Sequence, residues 1–313
     1  MAAMILVAGS ANLDYVIRTP HLPAPGETVL GHGFSTHPGG KGANQAAACR
    51  KAGGATTHML LALGHDAQAL PIEQALTQAG VHLHRVRVTD VPTGCAFICV
   101  DAQGENAIAV APGANSQLRP EHLPALDGYS HLMLQLEIPL ETVLAYARAA
   151  HAQGVKVVLN VAPARPLPRE LLALVDILLV NEGELATLAG APGTVAGQLQ
   201  RLDVPAVVVT LGARGSCARV HGTLTMQPAF PVTPIDSTGA GDTFCGVLVA
   251  RLALGHAMAD ALRHASAAGA LKCLRQGAQS GIPDAVEVEL FLAQQPPATP
   301  AQQAALRHYC GVA

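Results

Sequence analysis

The chain has 313 residues, 50% hydrophobic and 3% aromatic, with 19 Lys and Arg against 22 Asp and Glu for a net charge of −3. This is enough apolar chain for one large core with a small appendage, and it offers neither the basic surface nor the stacking platforms that a nucleic-acid partner would need. No apolar stretch reaches the ~18 residues of a membrane span, and the first residues lack the basic start and cleavage pattern of a signal peptide, so the expected protein is soluble and cytoplasmic, with no membrane partner.

Seven cysteines (Cys49, Cys95, Cys99, Cys217, Cys245, Cys273 and Cys310) are odd in number and never form C-x-x-C. They read as reduced, largely buried thiols rather than a disulfide framework or a zinc site. The 14 histidines show no H-E-x-x-H or close ligand spacing, which argues against a histidine-held catalytic metal.

In chain order, residues 4–8 (MILVA) form a short apolar strand that opens into a loop at Gly9-Ser10. Residues 15–36 are β-like but broken by Pro20, Pro23, Pro25, Gly26, Gly31 and Gly33, which suits small exposed strands. The segment His37 to Asn44 then leads into an Ala-rich helix over 45–51, closed by Gly53-Gly54. A strand over 57–63 and a helix over 67–79 follow. A second β-like patch, over 86–88, 95–100 and 107–110, alternates like an antiparallel flap outside the main sheet. From residue 131 the rhythm becomes regular. Strands over 131–136, 156–160, 177–180 and 206–211 alternate with helices over 140–153, 169–175, 182–188 and 195–202, the pattern of a parallel sheet covered by helices. Short strands over 216–220 and 223–227 come next, and helices over 242–254, 258–274 and 284–293 finish the fold. Past Gln295 the composition turns to Pro-Pro-Ala-Thr-Pro and then AQQAALRHY, a linker with room for a short helix.

The stretch Ile235 to Phe244 (IDSTGAGDTF) carries the strongest chemical signal. Its small residues open an apolar helix, so the N–H groups of Gly239, Ala240, Gly241 and Asp242 are expected to lie unpaired at a first turn that attracts anions. A carboxylate beside such a cradle is wrong for holding an anion. It is right for deprotonating a hydroxyl that attacks phosphorus. Taken alone, the stretch reads equally well as a Gly-rich turn with Asp242 as a helix N-cap.

In an open parallel sheet the ligand lies beyond the carboxyl ends of the strands. Asn12, Asp14, Glu137, Asn160, Asn181 and Thr210 all fall at or just past such ends; each by itself is better read as a turn or cap residue, and it is their joint position that points to a site. Asn12, Asp14, Lys41, Asn44 and Glu137 supply the donors and acceptors that grip several hydroxyls of a polyol. Two glycine signals are set aside. Gly42 stands where a Walker A loop needs Ser or Thr, and no G-x-G-x-x-G follows a strand.

These residues resemble the ribokinase branch of the ribokinase-like sugar kinase family from about residue 4 to 292. The likeness rests on Gly39-Gly40-Lys41-Gly42-Ala43-Asn44-Gln45-Ala46 and on Asp236-Ser237-Thr238-Gly239-Ala240-Gly241-Asp242-Thr243-Phe244. It is supported by Gly9 to Asp14, Pro25 to Thr28, Gln135 to Glu137 and Asn181 to Glu184. The resemblance implies a three-layer α/β/α domain over residues 1–295 with a mostly parallel central sheet. It also implies a small β-sheet lid, formed by about 12–36 and 93–112, through which two subunits pair as a homodimer. Residues 296–313 would form a C-terminal tail of no legible role.

The resemblance further implies a sugar held by Asn12, Asp14, Gly40, Lys41, Asn44 and Glu137, with Ala96 and Val110 as apolar lid contacts. ATP would lie along Asn181, Thr210, Gly212 and Gly215, with magnesium on its phosphates organised in part by Glu184. Asp242 would take the proton from the primary hydroxyl of ribose, and the turn Gly239-Ala240-Gly241 would form the anion hole. A potassium ion would bind at Asp236, the carbonyls of Thr238, Lys272 and Gly277, and Arg275. The chain departs from the family at Gly281, where a serine is usual, and at Ser266, where relatives carry a larger polar residue against the adenine. Kinases for deoxyribose, a nucleoside or a keto-sugar acid are the alternatives within the fold. A sugar sensor without catalysis is the alternative outside enzymes, and its mark would be a broken cradle or a changed base.

Overall fold

The strands that bury both faces set the layout. In the computed structural model, which describes residues 4–312, β1 (Met4–Ala8) turns Ile5 and Val7 into one apolar core and Leu6 and Ala8 into another. A strand apolar on both sides requires helices on both sides. Residues 1–3 and 313, the outer ends of the expected domain and tail, lie outside the described residues.

After β1 the chain enters the lid with β2 (Asn12–Arg18) and β3 (His32–Gly39), and returns through α1 (Lys41–Lys51), β4 (Thr56–Gly64), α2 (Ala69–Gln78) and β5 (His82–Val88). The lid is completed by β6 (Gly94–Val100) and β7 (Asn106–Ala111). Then come β8 (Tyr129–Leu134), α3 (Leu140–Ala152), β9 (Lys156–Asn160), α4 (Arg169–Leu174), β10 (Ile177–Asn181), α5 (Glu182–Ala189), α6 (Val195–Gln200) and β11 (Ala206–Thr210). The hairpin β12 (Gly215–Val220) and β13 (Thr223–Pro228) precedes α7 (Ala240–Ala253), α8 (Met258–Cys273), α9 (Ala285–Gln294) and α10 (Pro300–Cys310).

The main sheet has nine strands in the order β13-β12-β11-β10-β9-β8-β1-β4-β5, parallel except for the β11-β12-β13 edge. The four-stranded lid has the order β3-β2-β6-β7. The expected three-layer architecture is therefore present. No described helix is long and apolar enough to cross a membrane.

Four expectations are corrected. Residues 86–88 belong to β5, which pairs in parallel with β4 at the edge of the main sheet, not to the lid. An edge strand half exposed alternates just as a lid strand does, so the local pattern does not separate the two. The lid is also mixed rather than antiparallel, since β2 and β6 run parallel. Helix α1 begins at Lys41 instead of residue 45, because Gly40, at φ 90°, turns the chain straight into it. Finally, the short helix for which the tail had room forms, and it packs into the core instead of ending a linker. Thr299 and Gln302 form a capping box with Pro300 in the first turn, a known helix start, and α10 buries Leu306 and Cys310 in the core shared with α6.

Candidate active site

The segment between β1 and β2 is three residues long, and α1 closes tightly upon it. A Cβ at Gly40 would lie 2.8 Å from both the Ala11 Cα and the Asn12 nitrogen, so only glycine allows this approach. The Ser10 hydroxyl donates to Glu137 Oε2 at 2.5 Å, and the Lys41 N–H donates to the same oxygen at 3.1 Å. The Lys41 ammonium lies 4.0 Å from Glu137 Oε1. Asn115, just past the lid, donates to Asn12 Oδ1 at 2.8 Å and exchanges two further bonds with the Ala11 backbone. It thereby fixes which way the Asn12 amide faces. Asn115 escaped the sequence reading because nothing in its surroundings there marks it.

Asp14 is buried on the lid, register-paired with Ala96, which is paired in turn with Val110. Directly opposed residues share a face, so these three side chains lie on one side of the lid, as expected. Burial raises the Asp14 carboxyl to about 7, with the charges of Glu137 and Asp242 adding to the rise and Lys41 opposing it. Burial also works against the Lys41 ammonium, but Asp242, Glu137 and Glu184 outweigh it and its pKa is raised. The five charged groups thus act on one another across one space, as groups at functional sites do.

Asp242 stands in the first turn of α7, whose N-cap is Gly239. Its carboxylate is held from α1: Asn44 donates to Oδ2 and Gln45 to Oδ1, both at 2.9 Å. The same Gln45 amide also donates to Asn160 at 2.9 Å, and Gln135 donates to Gln45 Oε1 at 2.6 Å. Gln45 and Gln135 are fully buried. Every amide nitrogen of Asn44, Gln45 and Gln135 in this network has an acceptor, while the Asn44 Oδ1 and Gln135 Oε1 oxygens have no partner within the protein; the donated bonds orient the acid. Gln45 was a missed site residue, although a glutamine within an apolar alanine run is the signal that could have found it. Helices α1 and α7 can approach this closely because of Gly246, where a Cβ would meet the Gln45 carbonyl oxygen at 2.5 Å.

The donor turn differs in one member from expectation. The Ala240 N–H is already bonded to the Ser237 carbonyl at 3.1 Å, while the Gly239 carbonyl caps the Thr243 N–H and hydroxyl. Among the described residues, the N–H groups of Gly239, Gly241 and Asp242 meet no backbone acceptor. Asp242 is not an N-cap; its side chain faces α1.

At the other end of the site, Asn181 and Glu184 form the capping box of α5, with Glu184 donating its N–H to Asn181 Oδ1 at 2.8 Å and Asn181 its N–H to Glu184 Oε2 at 2.7 Å. Burial raises the Glu184 carboxyl, against the pull of the Asn181 N–H and Lys41. Thr210 ends β11, and Gly212 and Gly215 take positive φ in the turn that follows. The glycine at 215 has a structural reason, since a Cβ there would strike the Gln227 carbonyl at 2.1 Å. Ser266 is half-buried on α8, one turn before Gly269, where α8 crosses the start of α7. Arg214 pairs with Glu182 at 2.8 Å and stacks 4.0 Å from the Tyr309 ring centre, and the Tyr309 hydroxyl also bonds Glu182. The tail helix thus reaches the loops of this end.

The expected potassium set does not fit a free ion. The carboxylate oxygens of Asp236 accept the N–H groups of Thr238 at 2.9 Å and Gly277 at 2.8 Å. The Lys272 ammonium, fully buried, donates to the carbonyls of Asp236 at 2.8 Å and Arg275 at 3.2 Å and lies 3.7 Å from Asp236 Oδ2. The Gly277 carbonyl accepts the N–H of Gly281 at 3.1 Å. Lys272 was expected to offer a carbonyl, yet its side chain brings a positive charge to the acceptors a cation would need. Burial pushes that ammonium down from its ordinary value and Asp236 pulls it back up. Despite burial, the Asp236 carboxyl is lowered by the Thr238 and Gly277 bonds and by Lys272.

An acid oriented by two amides, next to open backbone donors and facing a pocket of polyol-gripping side chains, suits the transfer of a phosphoryl group to a hydroxyl. The class so defined is that of the small-molecule kinases. The chain belongs to the pfkB family of carbohydrate kinases, whose profile matches residues 2–285. It is similar to the ribokinase of Haemophilus influenzae, at 37% identity over 304 residues that cover 93% of this chain and 99% of that one. The ribokinase of Schizosaccharomyces pombe is 38% identical over 306 residues, covering 91% and 96% respectively. The structure of Arabidopsis thaliana ribokinase complexed with ribose and ATP superposes with a TM-score of 0.85 at 34% identity, covering 94% of this chain and all of that one.

Proposed function

We propose that the protein phosphorylates D-ribose at O5 with ATP, giving ribose 5-phosphate. The observation that carries this reading is the carboxylate of Asp242, held by Asn44 and Gln45 in the first turn of the helix that opens with the donor turn. Asn12, Asp14, Gly40, Lys41, Asn44 and Glu137 bind the sugar hydroxyls, and Ala96 and Val110 close over it from the lid. Asp242 takes the proton of the primary hydroxyl, whose oxygen then attacks the γ-phosphorus in line. The N–H groups of Gly239, Gly241 and Asp242 stabilise the charge on the transferring group.

ATP lies along Asn181, Thr210, Gly212, Gly215 and Ser266, with Gly241 at its phosphates. Magnesium, when bound with ATP, neutralises phosphate charge. Glu184, whose charge acts on both Lys41 and Asp242, suits an outer partner for it. Closure of the lid excludes water as a rival acceptor. Exposed Phe34, Phe97 and Ile108 give the lid an apolar surface, which supports pairing of two lids in a homodimer. The cytoplasm, where ATP is abundant, is the compartment this reading calls for.

A coupled ADP-release assay across ribose, deoxyribose, fructose and adenosine tests the substrate. Asn12 and Asp14 each offer a partner that a deoxy sugar would leave idle, so ribose is expected to give the highest kcat/KM. A preference for any other acceptor overturns the assignment.

A further inference from the structure

Lys272 is among the largest side chains with no exposed surface, and a buried ammonium is kept only where it is paired. Its partners all belong to two loops. One is residues 235–238, which lead directly into the donor turn at Gly239; the other is residues 273–277, which follow α8. The same two loops are joined by the N–H groups of Ile235 and Asp236, both bonded to the Cys273 carbonyl at 2.7 and 3.1 Å, and by the Gly277 N–H on Asp236 Oδ2. Three acceptors surround the ammonium: the carbonyls of Asp236 and Arg275 and the Asp236 carboxylate. The two carbonyls accept hydrogen bonds, and the carboxylate, 3.7 Å away, supplies the counter-charge.

Gly281 makes room for it. A Cβ at 281 would stand 3.1 Å from Lys272 Cε, 3.2 Å from the Arg275 carbonyl and 2.7 Å from the Gly277 carbonyl. A serine there would meet the Gly277 carbonyl first and then crowd the lysine stem, so the departure at Gly281 leaves space that the Lys272 side chain uses. The Arg275 guanidinium is turned away and engages Glu287 at 2.6 and 3.0 Å, so it does not compete for the Asp236 carboxylate.

We propose that the Lys272 ammonium is a built-in substitute for the monovalent cation, holding the loop before the donor turn in its phosphate-binding shape, so that turnover does not depend on potassium. Lys272 is a positioning residue, acting through Asp236 on the N–H groups of Gly239, Gly241 and Asp242. This rests on the kinase reading of that turn.

The test compares full-length protein in potassium chloride and in tetramethylammonium chloride at equal ionic strength, reading both turnover and melting temperature. Wild-type kcat is expected to agree within about two-fold between the salts, a difference of under ~0.5 kcal/mol in barrier, and the melting temperature is expected not to move. Lys272→Ala is expected to lose ~100-fold or more of kcat in tetramethylammonium, the scale for disabling anion-hole donors. Potassium should then restore activity and raise the melting temperature, more strongly when Gly281→Ser is added to supply a hydroxyl ligand. Activation or thermal stabilisation of the wild type by potassium overturns the proposal, as does a Lys272→Ala variant fully active without it. If Lys272→Ala does not fold, the wild-type salt comparison decides alone. Failure to phosphorylate any sugar would sink the kinase reading instead, and the melting comparison would still judge Lys272.

Discussion

Gln45 and Asp242 meet across a glycine. The Gln45 amide donates to Asp242 Oδ1 at 2.9 Å, and one turn along α7 the Gln45 carbonyl faces Gly246, where a Cβ would lie only 2.5 Å away. The side-chain bond therefore depends on a helix spacing that only the smallest residue allows, and the position of the acid is set by core packing as much as by its own hydrogen bonds.

Asp242→Asn keeps the shape of the side chain but removes the base. Turnover is expected to fall ~100-fold or more, while ATP affinity measured by isothermal titration calorimetry stays close to wild type. Unchanged turnover would remove Asp242 from the proton transfer.

Gln45→Leu leaves Asp242 with only the Asn44 bond and strands the amides of Gln135 and Asn160. A loss of one charge-assisted bond, about 1.5–3 kcal/mol, should lower kcat by ~10-fold or more, with KM for the sugar little changed. A raised KM at constant kcat would place Gln45 in substrate binding rather than in orienting the acid.

Much of this was legible in the chain. The two glycine-bearing signatures and the β/α rhythm from residue 131 led to the fold, and Asn12, Asp14, Lys41, Asn44, Glu137 and Asp242 converge in space as their motifs implied. What stayed hidden depended on partners distant in sequence. The pairing of β5 with β4 is invisible in a strand whose own alternation fits either sheet. The role of Asn115 exists only through Asn12, 103 positions away. Lys272 was legible as a position near the end of α8, but where its ammonium goes depends on Asp236, 36 positions away, and on the loop after the helix. The start of α10 is a different case, because the Thr299-Pro300 cap was readable and its burial was not.

Asp14 makes stability depend on pH. Its folded carboxyl titrates near 7 against an ordinary 3.8, so ionising it costs more in the folded protein than in the unfolded chain. Its contribution is full below pH ~4 and is lost as pH rises through ~7. Without ligand, Asp14→Asn is expected to be more stable than wild type at pH 8 by roughly 2–4 kcal/mol, and to match it near pH 4. Urea unfolding at the two pH values measures this. Parallel curves at both would show that the carboxyl is not perturbed.

The tail helix should carry real stability. Leu306→Ala opens a cavity among α10, α6 and β13 and is expected to cost about 2–5 kcal/mol, visible as a lower melting temperature. A change within error would mean that α10 is detached in solution.

For the lid, light scattering after size exclusion should give a dimer for the wild type. Ile108→Asp on β7, whose residues are all exposed in one protomer, should give a monomer, since an unpaired charge buried in an apolar contact is costly. A wild-type monomer at micromolar concentration would rule out the lid pairing.

Only Gly9, Ser10 and Ala11 separate β1, fixed between β8 and β4 inside the main sheet, from β2 in the lid. Ser10 is tied to Glu137 and Ala11 to Asn115, so this short link behaves as a stiff lever arm with Asn12 and Asp14 mounted on it. Any displacement of the lid carries those two side chains with it. The side chains of Asn12 and Asp14 and the tilt of the lid are therefore geared together, so neither can be repositioned without the other.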